Sequence, residues 1–464
     1  MLVLKRKWRN CLLFIGLLAI CPTLVMAQGI ISPGAGPINQ GMAGASTAAP
    51  VDFGSSYWNP ANLSGLDQDE ALLSSALIFP SIHFSSAQRA GAFGGVFPPT
   101  NRYGTSRSDG GVGSNLAAGV SWKVRPDSPL TFGLGLFGVA GGNVNFAGSN
   151  TTPVLGPRRP PNFFGVGPVY ANLAFLEIKP MVSLQATDRL AVGFAPVILN
   201  GTGTFSPAFF APGLKDHFGV PTFPSATNIR PVWGAGFELG LLYNVNESWN
   251  IGFSYKSPGW LNRLNYNSNN PDLSHRQIGL TAGLPAIYSW GVAYKGIDRL
   301  LVDVDLRYMD YASTPLFGQS VRDGGLNWSG IFAVATGLQY QLTDRLTVRG
   351  GYLYNTNLIN STQTLFNIQA PGIITNTLSL GGSWRLTDQV IASAAWVHGF
   401  RNSIEGPIVQ IPGTSTRLDA QVDSLVFGLT VQYGGKRKSQ ISSPATESVA
   451  LAEPAQSPGT QPAP

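Results

Sequence analysis

The sequence has few of the residues on which catalytic and metal sites depend. Its two cysteines, Cys11 and Cys21, both lie in the first 27 residues, so the rest of the chain has no thiol for a disulfide, a nucleophile or a metal. The four histidines lie far apart and show no metal-ligand spacing. No nucleophile-elbow, zincin or P-loop motif occurs. The sequence therefore predicts no enzyme, no metal site and no cofactor.

Charge is also scarce. Charged residues make up 12% of the chain, against about 25% in typical soluble domains. Of the 30 basic residues, four lie in the first 27 positions, and the remaining 26 face 24 acidic residues, which leaves a net charge of about +2. A balance this small predicts no nucleic-acid partner.

Beyond the N-terminus, no apolar run approaches the roughly 18 residues that a membrane helix needs. Instead, apolar residues alternate with small or polar ones, as residues 424–433 show, where Val426 is the one exception. The tyrosine that ends this segment is typical of a membrane–water boundary. This pattern favours a membrane β-barrel, although soluble sheets also alternate. The apolar face comprises Leu425, Phe427, Leu429, Val431 and Tyr433.

Residues 1–27 are predicted to be a signal peptide. A basic start precedes an apolar core, and Ala27 ends a plausible cleavage site. Lipoprotein processing at Cys21 is an alternative, although Ile20 is bulky for that motif. Residues 434–464 are rich in Ser, Pro, Ala and Gln and lack periodicity. They predict a disordered periplasmic tail, or alternatively a tail that binds peptidoglycan or a partner.

Short polar turns recur along the predicted barrel, residues 67–433. Asp and Asn suit such turns because their side chains bond nearby backbone. With both termini in the periplasm, a barrel of n strands has n/2 − 1 short turns, so six turns predict fourteen antiparallel strands. The other connections are long and would face the cell exterior. The six turns lie at 125–129, 186–190, 246–247, 296–300, 342–346 and 386–390.

Several charged residues share a strand face with small or polar neighbours. A charge that faces lipid costs about 2–4 kcal/mol near the midplane, so these side chains should face the lumen. They would form a polar network that holds the barrel together, or alternatively contact the head group of a substrate. The predicted inward residues are Glu177, Lys179, Glu238, Asp303, Asp305, Arg307, Arg349 and Arg385.

Two features favour a hydrophobic substrate over a sugar or an ion. The third strand, residues 131–142, has glycine at five of twelve positions, which indicates a bulge or kink. A long external loop is rich in aromatic residues, and clustered exposed apolar residues mark ligand or membrane contacts. The predicted kink residues are Gly133, Gly135, Gly138 and Gly141, and the predicted capture-loop residues are Phe205, Phe209, Phe210, Leu214, Phe218 and Phe223.

Residues 28–66 form a distinct block, dense in Gly, Ala, Ser and Pro. Such a composition fits either disorder or a segment that packs inside a narrow space. The stretch 57–60, Tyr-Trp-Asn-Pro, is too specific for a simple linker.

The sequence resembles the FadL-type family, outer-membrane transporters of long-chain fatty acids and other hydrophobic compounds. The resemblance spans residues 28–433 and is most specific at 41–45 (GMAGA) and 57–61 (YWNPA), with further similarity at 284–294 and 346–352. It implies a fourteen-stranded barrel whose lumen is plugged by an N-terminal hatch, here residues 28–66. The hatch motif would comprise Trp58, Asn59, Pro60 and Ala61.

The resemblance also implies a mechanism. A ligand is captured among the third and fourth external loops, here the phenylalanine-rich loop and roughly 257–275, and leaves through a lateral gap at the third-strand kink. The expected function is passive, hatch-gated uptake of a long-chain fatty acid or a similar hydrophobic molecule by a monomer embedded in outer-membrane lipid. A hydrophilic diffusion porin and a surface adhesin or receptor are the alternatives.

Overall fold

The computed structural model describes residues 28–93, 98–157, 165–216, 221–409 and 411–435. The predicted signal peptide and residues 436–464 of the predicted tail lie outside these ranges. Within the described residues, fourteen antiparallel strands form one closed sheet, so the fold and the strand count predicted from the turns are confirmed. The wall strands are β1 (Asp69–Gln88), β2 (Arg102–Arg107 and Gly113–Lys123), β3 (Leu130–Phe146), β4 (Val169–Gln185), β5 (Leu190–Ser206), β6 (Val232–Asn244), β7 (Trp249–Lys256, then Gly259–Leu261), β8 (Gly283–Leu284, then Ala286–Ile297), β9 (Leu300–Asp310), β10 (Ile331–Gln341), β11 (Leu346–Asn355), β12 (Asn376–Arg385), β13 (Val390–Pro407) and β14 (Thr414–Tyr433).

The last strand closes the barrel. β14 pairs with β1 from Asp69–Tyr433 to Gln88–Thr414 without a change of register, and it pairs with β13 on its other side. No sheet edge is therefore left along β1 or β14, as a wall in lipid requires, because an unpaired backbone group there costs several kcal/mol.

Three of the six short turns are stabilised by threonine rather than by the aspartate that follows it, whereas Asn246 Oδ1 accepts the N–H groups of Ser248 and Trp249 in the turn between β6 and β7. In the turn between β4 and β5, Thr187 Oγ1 accepts the backbone N–H of Leu190 at 3.0 Å. Thr343 and Thr387 make the same bond to the residue three positions later, at 2.9 and 3.0 Å. These are hydroxyl turns, which hold the backbone in the way that Asx turns do.

Burial alternates along the strands as the sequence predicts. On β14 the phenylalanine ring of Phe427 is 52% exposed on the outside, whereas Val426, the apolar exception, faces inward and is 1% exposed. Outward aromatic rings also form a belt across β7 to β10, with ring centroids 5.0 Å apart for Tyr255–Tyr288 and 4.8 Å for Tyr308–Phe332. Such belts mark a membrane interface.

Residues 28–66, called the N-terminal segment below, lie within the closed sheet and are almost entirely buried. Helix α1 (Gly36–Gly41) contacts β1 and β11 to β14, and the second of two 3₁₀ helices contacts β3 to β6, so the segment spans the lumen from one side to the other. In the described part of the chain, no helix has the length and apolarity needed to cross a membrane. The two 3₁₀ helices are Phe53–Tyr57 and Pro60–Gly65.

The long connections carry short elements of their own. Two small hairpins lie in the loops after β5 and β7, and three 3₁₀ helices lie in other external loops. The hairpins pair Leu214–Lys215 with Pro221–Thr222 and Leu264–Asn269 with His275–Leu280, and the helices are Pro153–Leu155, Val321–Asp323 and Ser361–Gln363.

Candidate functional site

The Asn-Pro-Ala sequence fixes the N-terminal segment to the wall. Asn59 caps the second 3₁₀ helix, because its Oδ1 accepts the N–H of Ala61 at 3.0 Å. Pro60 takes the first helical position, where its missing N–H leaves no donor unpaired. The Asn59 amide also donates to the carbonyl oxygen of Thr47 at 2.8 Å and to that of Leu241 in β6 at 2.9 Å. One side chain thus joins two parts of the segment to a wall strand.

A glycine in the wall allows the N-terminal segment to approach the strand this closely. A Cβ built on Gly193 in β5 would overlap the backbone of Ala61, so no larger residue fits there without moving the segment. By contrast, a Cβ on Gly382 in β12 would meet no atom nearer than the carbonyl oxygen of Thr347, at 3.8 Å.

Trp58 packs against a buried arginine of the wall. The guanidinium carbon of Arg307 in β9 lies 3.8 Å from the centroid of the Trp58 ring, a cation–π contact. Nη2 of Arg307 donates to the Asp305 carboxylate and to the carbonyl oxygen of Gly44. Both charged side chains are fully buried. This interaction fixes a second point of the N-terminal segment.

Asp305 also accepts backbone N–H groups of the segment. Its Oδ2 lies 3.0 Å from the nitrogen of Ser46 and 3.1 Å from that of Thr47. Asp303, two residues before it on the same inward face of β9, is fully buried as well. Three of the predicted inward residues, Asp303, Asp305 and Arg307, therefore lie together beneath residues 44–48.

Four charged side chains from three strands meet in a second buried group. Nζ of Lys179 lies 2.5 Å from Oε2 of Glu238, and Nζ of Lys256 lies 3.1 Å from Oε2 of Glu177 and 3.6 Å from Oε2 of Glu238. None of the four is more than 11% exposed. We call these residues the four-charge cluster. Lys256 was not predicted from the sequence, although it lies on the inward parity of residues 249–256.

A narrow apolar slot adjoins this cluster. It is bounded by Ile31 and Tyr57 of the N-terminal segment, Val139 of β3 and side chains of β4 to β8. Its volume is about 10 Å³, which is enough for one water molecule at most. The other apolar residues are Val197, Leu199, Phe237, Leu284, Pro285 and Ile287, and the polar ones are Glu177, Lys256 and Ser257.

The wall is interrupted next to the slot. β2 pairs with β3 from Lys123–Thr131 to Ala117–Phe137, and the two strands do not pair beyond that point toward the cell exterior. Just beyond, β3 contains a bulge, in which Val139 is the extra residue between Gly138 and Ala140. Gly138 is approached there by Asn115 of β2, whose Nδ2 lies 3.0 Å from its carbonyl oxygen. Gly133 and Gly135 precede the bulge on the inward face, and Gly141 follows it.

The N-terminal segment pairs with the edge of β3 that β2 leaves free. The N–H of Ser32 donates to the carbonyl oxygen of Val139 at 2.7 Å, and the N–H of Gly141 donates to that of Ile30 at 3.1 Å. The segment thus supplies the backbone partners that a continuous β2 would supply elsewhere in the wall.

External residues cover the start of this segment. The hydroxyl of Tyr311 donates to the carbonyl oxygen of Gln28 at 2.8 Å and accepts the N–H of Ile30 at 3.1 Å. The Tyr311 ring packs edge-on against Trp328 at 5.2 Å and against Phe317 at 5.9 Å. No sequence pattern predicted this cover, since these aromatic residues lie in loops without periodicity.

The aromatic residues of the predicted capture loop pack on one another. Ring centroids lie 5.4 Å apart for Phe205–Phe210 and 5.3 Å apart for Phe209–Phe223. Three of these rings line an apolar cavity of about 40 Å³ beneath the external loops. Of the other two predicted residues, Leu214 is 40% exposed and Phe218 lies outside the described residues.

A larger cleft, of about 300 Å³, opens between the loops that follow β5 and β7. Most of its lining is polar, unlike the apolar groove that the family resemblance implies at this place. The polar residues are Thr222, Ser225, Thr227, Asn267, Ser268, Asn269, Asn270 and Arg276.

The last two predicted inward residues lie elsewhere. Arg349 donates to Gln339 at 2.7 Å and to Ser383 at 2.6 Å. Arg385 donates to Gln432 at 3.1 Å, next to the turn between β12 and β13. Within the described structure, neither arginine forms a hydrogen bond or salt bridge with the four-charge cluster, so the predicted network is divided into separate groups.

A buried carboxyl of the N-terminal segment lies beside a second one. Complete burial, together with the negative charge of nearby Glu70, raises the pKa of Asp52 to about 8, and Arg349 opposes the shift. Glu70 itself accepts the N–H of Phe53 at 2.8 Å. Neither acid was predicted from the sequence to be a site residue. Among the described residues, no three His, Cys, Asp or Glu side chains are arranged to hold a metal ion.

Residues 19–434 match the family model described as "Outer membrane protein transport protein (OMPP1/FadL/TodX)". The 47 kDa outer membrane protein of Pasteurella multocida is 26% identical over 231 residues, which are 43% of this chain and 50% of that protein. Outer membrane protein P1 of Haemophilus influenzae is 23% identical over 226 residues, 44% of this chain and 48% of that protein. The chain thus spans about half the length of the curated relatives it matches.

Solved structures share the fold. A Pseudomonas aeruginosa FadL homologue is similar at a TM-score of 0.67 and 16% identity, over 88% of this chain and 100% of that one. The Pseudomonas putida toluene transporter TodX is similar at a TM-score of 0.61 and 15% identity, over 87% and 99%. The Ralstonia pickettii toluene transporter TbuX gives 0.62 and 16%, over 87% and 99%.

Proposed function

Since the chain belongs to the OMPP1/FadL/TodX family of outer membrane transport proteins, which are channels rather than enzymes, we propose that it carries hydrophobic small molecules passively across the outer membrane. The proposed substrates are long-chain fatty acids or similar hydrophobic small molecules. The N-terminal segment is the proposed hatch, and the interruption between β2 and β3 is the proposed lateral exit.

One observation carries this proposal. The hatch meets the wall where β2 and β3 cease to pair, and it does so through backbone hydrogen bonds at Val139 and Gly141. The pairing is short, with Ile31 opposite Ala140 as an isolated bridge. A short ladder can be broken and remade more readily than a wall strand, because each hydrogen bond contributes only about 0.5–1.5 kcal/mol net. The contact therefore fits a gate.

The route follows from the neighbours of this contact. Ile31 and Val139 both line the apolar slot, so movement of residues 30–32 would enlarge the slot and open the wall together. Further out, Phe205, Phe209 and Phe210 line the apolar cavity beneath the external loops. A hydrophobic molecule would pass from that cavity to the slot and then sideways into the membrane.

The slot is too small for a ligand in the described structure. A slot of about 10 Å³ admits one water at most, so an acyl chain or an aromatic ring can enter only if the hatch or the lining side chains move. Removing apolar ligand surface from water would supply about 25 cal/mol per Å² toward that movement, less the cost of ordering the ligand.

A cysteine cross-link tests the gate. The chain has no cysteine beyond residue 27, so Ile31→Cys with Ala140→Cys introduces the only pair there. Directly opposite residues of an antiparallel bridge have Cα atoms about 4.5–5.5 Å apart, within the range that a disulfide spans. We expect the oxidised double variant to lose uptake of a labelled fatty acid or toluene, and dithiothreitol to restore it.

Each single-cysteine variant is the matched control and should transport at the parental rate. If the double variant, shown by mass to be fully cross-linked, still transported at that rate, the hatch would not gate at this contact. If the parental protein moved no apolar compound but passed sugars, it would be a hydrophilic porin and the proposal would be wrong.

A further inference from the structure

The polar end of the slot bears on which hydrophobic molecules it accepts. Lys256 is the cationic residue among those that line the slot, and Glu177 is the anionic one. A free lysine in an apolar pocket would attract the carboxylate of a fatty acid. Whether Lys256 can do so depends on how fully its charge is already paired.

Lys256 is paired on more than one side. Its Nζ donates to both carboxylate oxygens of Glu177, at 3.1 and 3.4 Å, and lies 3.6 Å from Oε2 of Glu238. The Tyr57 ring lies against it as well, with the centroid 4.7 Å from Nζ. The three donors of this ammonium group therefore already face acceptors or a ring.

The second lysine of the cluster has no spare charge either. Nζ of Lys179 contacts Glu238 at 2.5 Å and the carbonyl oxygens of Ser56 and Tyr57 at 2.8 and 3.3 Å. Two lysines and two glutamates give the cluster a formal charge of zero. Oε1 of Glu238 is buried and has no hydrogen-bond partner in the described structure, so the cluster holds more acceptors than its donors satisfy.

A third carboxylate would make the cluster net negative in a site shielded from water. A buried charge without a partner is strongly unfavourable. The ligand could instead displace Glu177 from Lys256, but Glu177 is only 2% exposed and would then be the unpaired buried charge. A neutral ligand creates neither problem.

We propose that Glu177 is a selectivity residue that keeps Lys256 paired, so that the slot admits uncharged hydrophobic molecules and excludes carboxylates. This inference rests on the proposed transport function and narrows its substrate class. Hydrocarbons, alcohols and esters fit this class, and ionised fatty acids do not.

Three ligands of equal chain length test the inference, namely decanoate, methyl decanoate and decanol. Binding is measured at pH 7.5 on the purified full-length protein. We expect the parental protein to bind methyl decanoate and decanol at least about tenfold more tightly than decanoate. In Glu177→Gln, the cluster is left with two lysines and one glutamate, a formal charge of +1, and decanoate should gain about tenfold relative to its methyl ester.

Glu405→Gln, on the exposed part of β13, is the matched control and should leave the ratio of decanoate to ester affinity unchanged. If the parental protein bound decanoate as tightly as methyl decanoate, the inference would be overturned and the transport function would stand. This comparison uses no variant, so it does not depend on whether a variant folds. An unchanged ratio in folded Glu177→Gln would also overturn it. Binding of none of the three ligands would overturn the transport function and the inference together.

Discussion

Replacing Asn59 with alanine is expected to loosen the N-terminal segment from the wall. The substitution removes the hydrogen bonds to Thr47, Leu241 and Ala61. Only the bond to Leu241 reaches the wall, and the other two lie within the segment, so all three count against a displaced segment in which they are broken as well. At about 0.5–1.5 kcal/mol net for each bond, the seated state should lose about 1.5–4.5 kcal/mol relative to that displaced state. Because about 1.4 kcal/mol corresponds to a tenfold change in an equilibrium, the displaced population should rise roughly 10- to 1,500-fold.

The frequency of open events in planar bilayers measures this change, because a displaced segment leaves an ion path through the lumen. Asn360→Ala is the matched control, since Asn360 also caps a 3₁₀ helix but lies in an external loop. Heat-modifiable migration in detergent gels shows whether each barrel is folded. If folded Asn59→Ala opened no more often than the parental protein or Asn360→Ala, Asn59 would not hold the segment in place.

Two further predictions concern the same segment. Burial raises the pKa of Asp52 from its ordinary value of 3.8 to about 8. Relative to a displaced segment that exposes Asp52, the seated state is therefore most stable below about pH 4 and loses stability as pH rises toward 8, by at most about 1.4 kcal/mol per pH unit. Protease cleavage within residues 28–66 should increase over this range, and Asp52→Asn should flatten the increase; an equally steep increase in Asp52→Asn would assign it to other groups. Gly193→Val should displace Ala61 and raise the frequency of open events in planar bilayers. Gly382→Val is the control and should not, because there is room for a side chain at that position. Equal open-event frequencies in the two variants would show that the close approach at Gly193 does not hold the segment in place.

The wall could be predicted from the sequence because its rules are local and periodic. Alternation placed Phe427 outside, and the six turns gave fourteen strands without knowledge of any contact. The hydrogen bonds within the turns could not be predicted, because they depend on which side-chain atoms face the backbone. In the turn between β4 and β5, the hydroxyl of Thr187 accepts the hydrogen bond, whereas Asp188 is exposed to water.

The site could be predicted only in part, because its groups come together through the tertiary structure. Strand parity placed Glu177 and Lys179 inward, and both are buried there. It could not show that Lys179 pairs with Glu238, since strand register decides that contact. Lys256 could have been found by applying the same parity rule to β7. The pairing of Ile31 with Ala140 has no sequence signal, because residues 28–35 have no period.

The closing ladder between β1 and β14 has a consequence for biogenesis. Its register runs from Asp69–Tyr433 to Gln88–Thr414, so a nascent chain that ends before residue 414 has a free β1 edge and a free β13 edge. Each edge is a row of unpaired N–H and C=O groups, which lipid does not solvate. Stable insertion of the wall must therefore wait for the final strand, and the order of synthesis makes insertion follow translation of nearly the whole barrel.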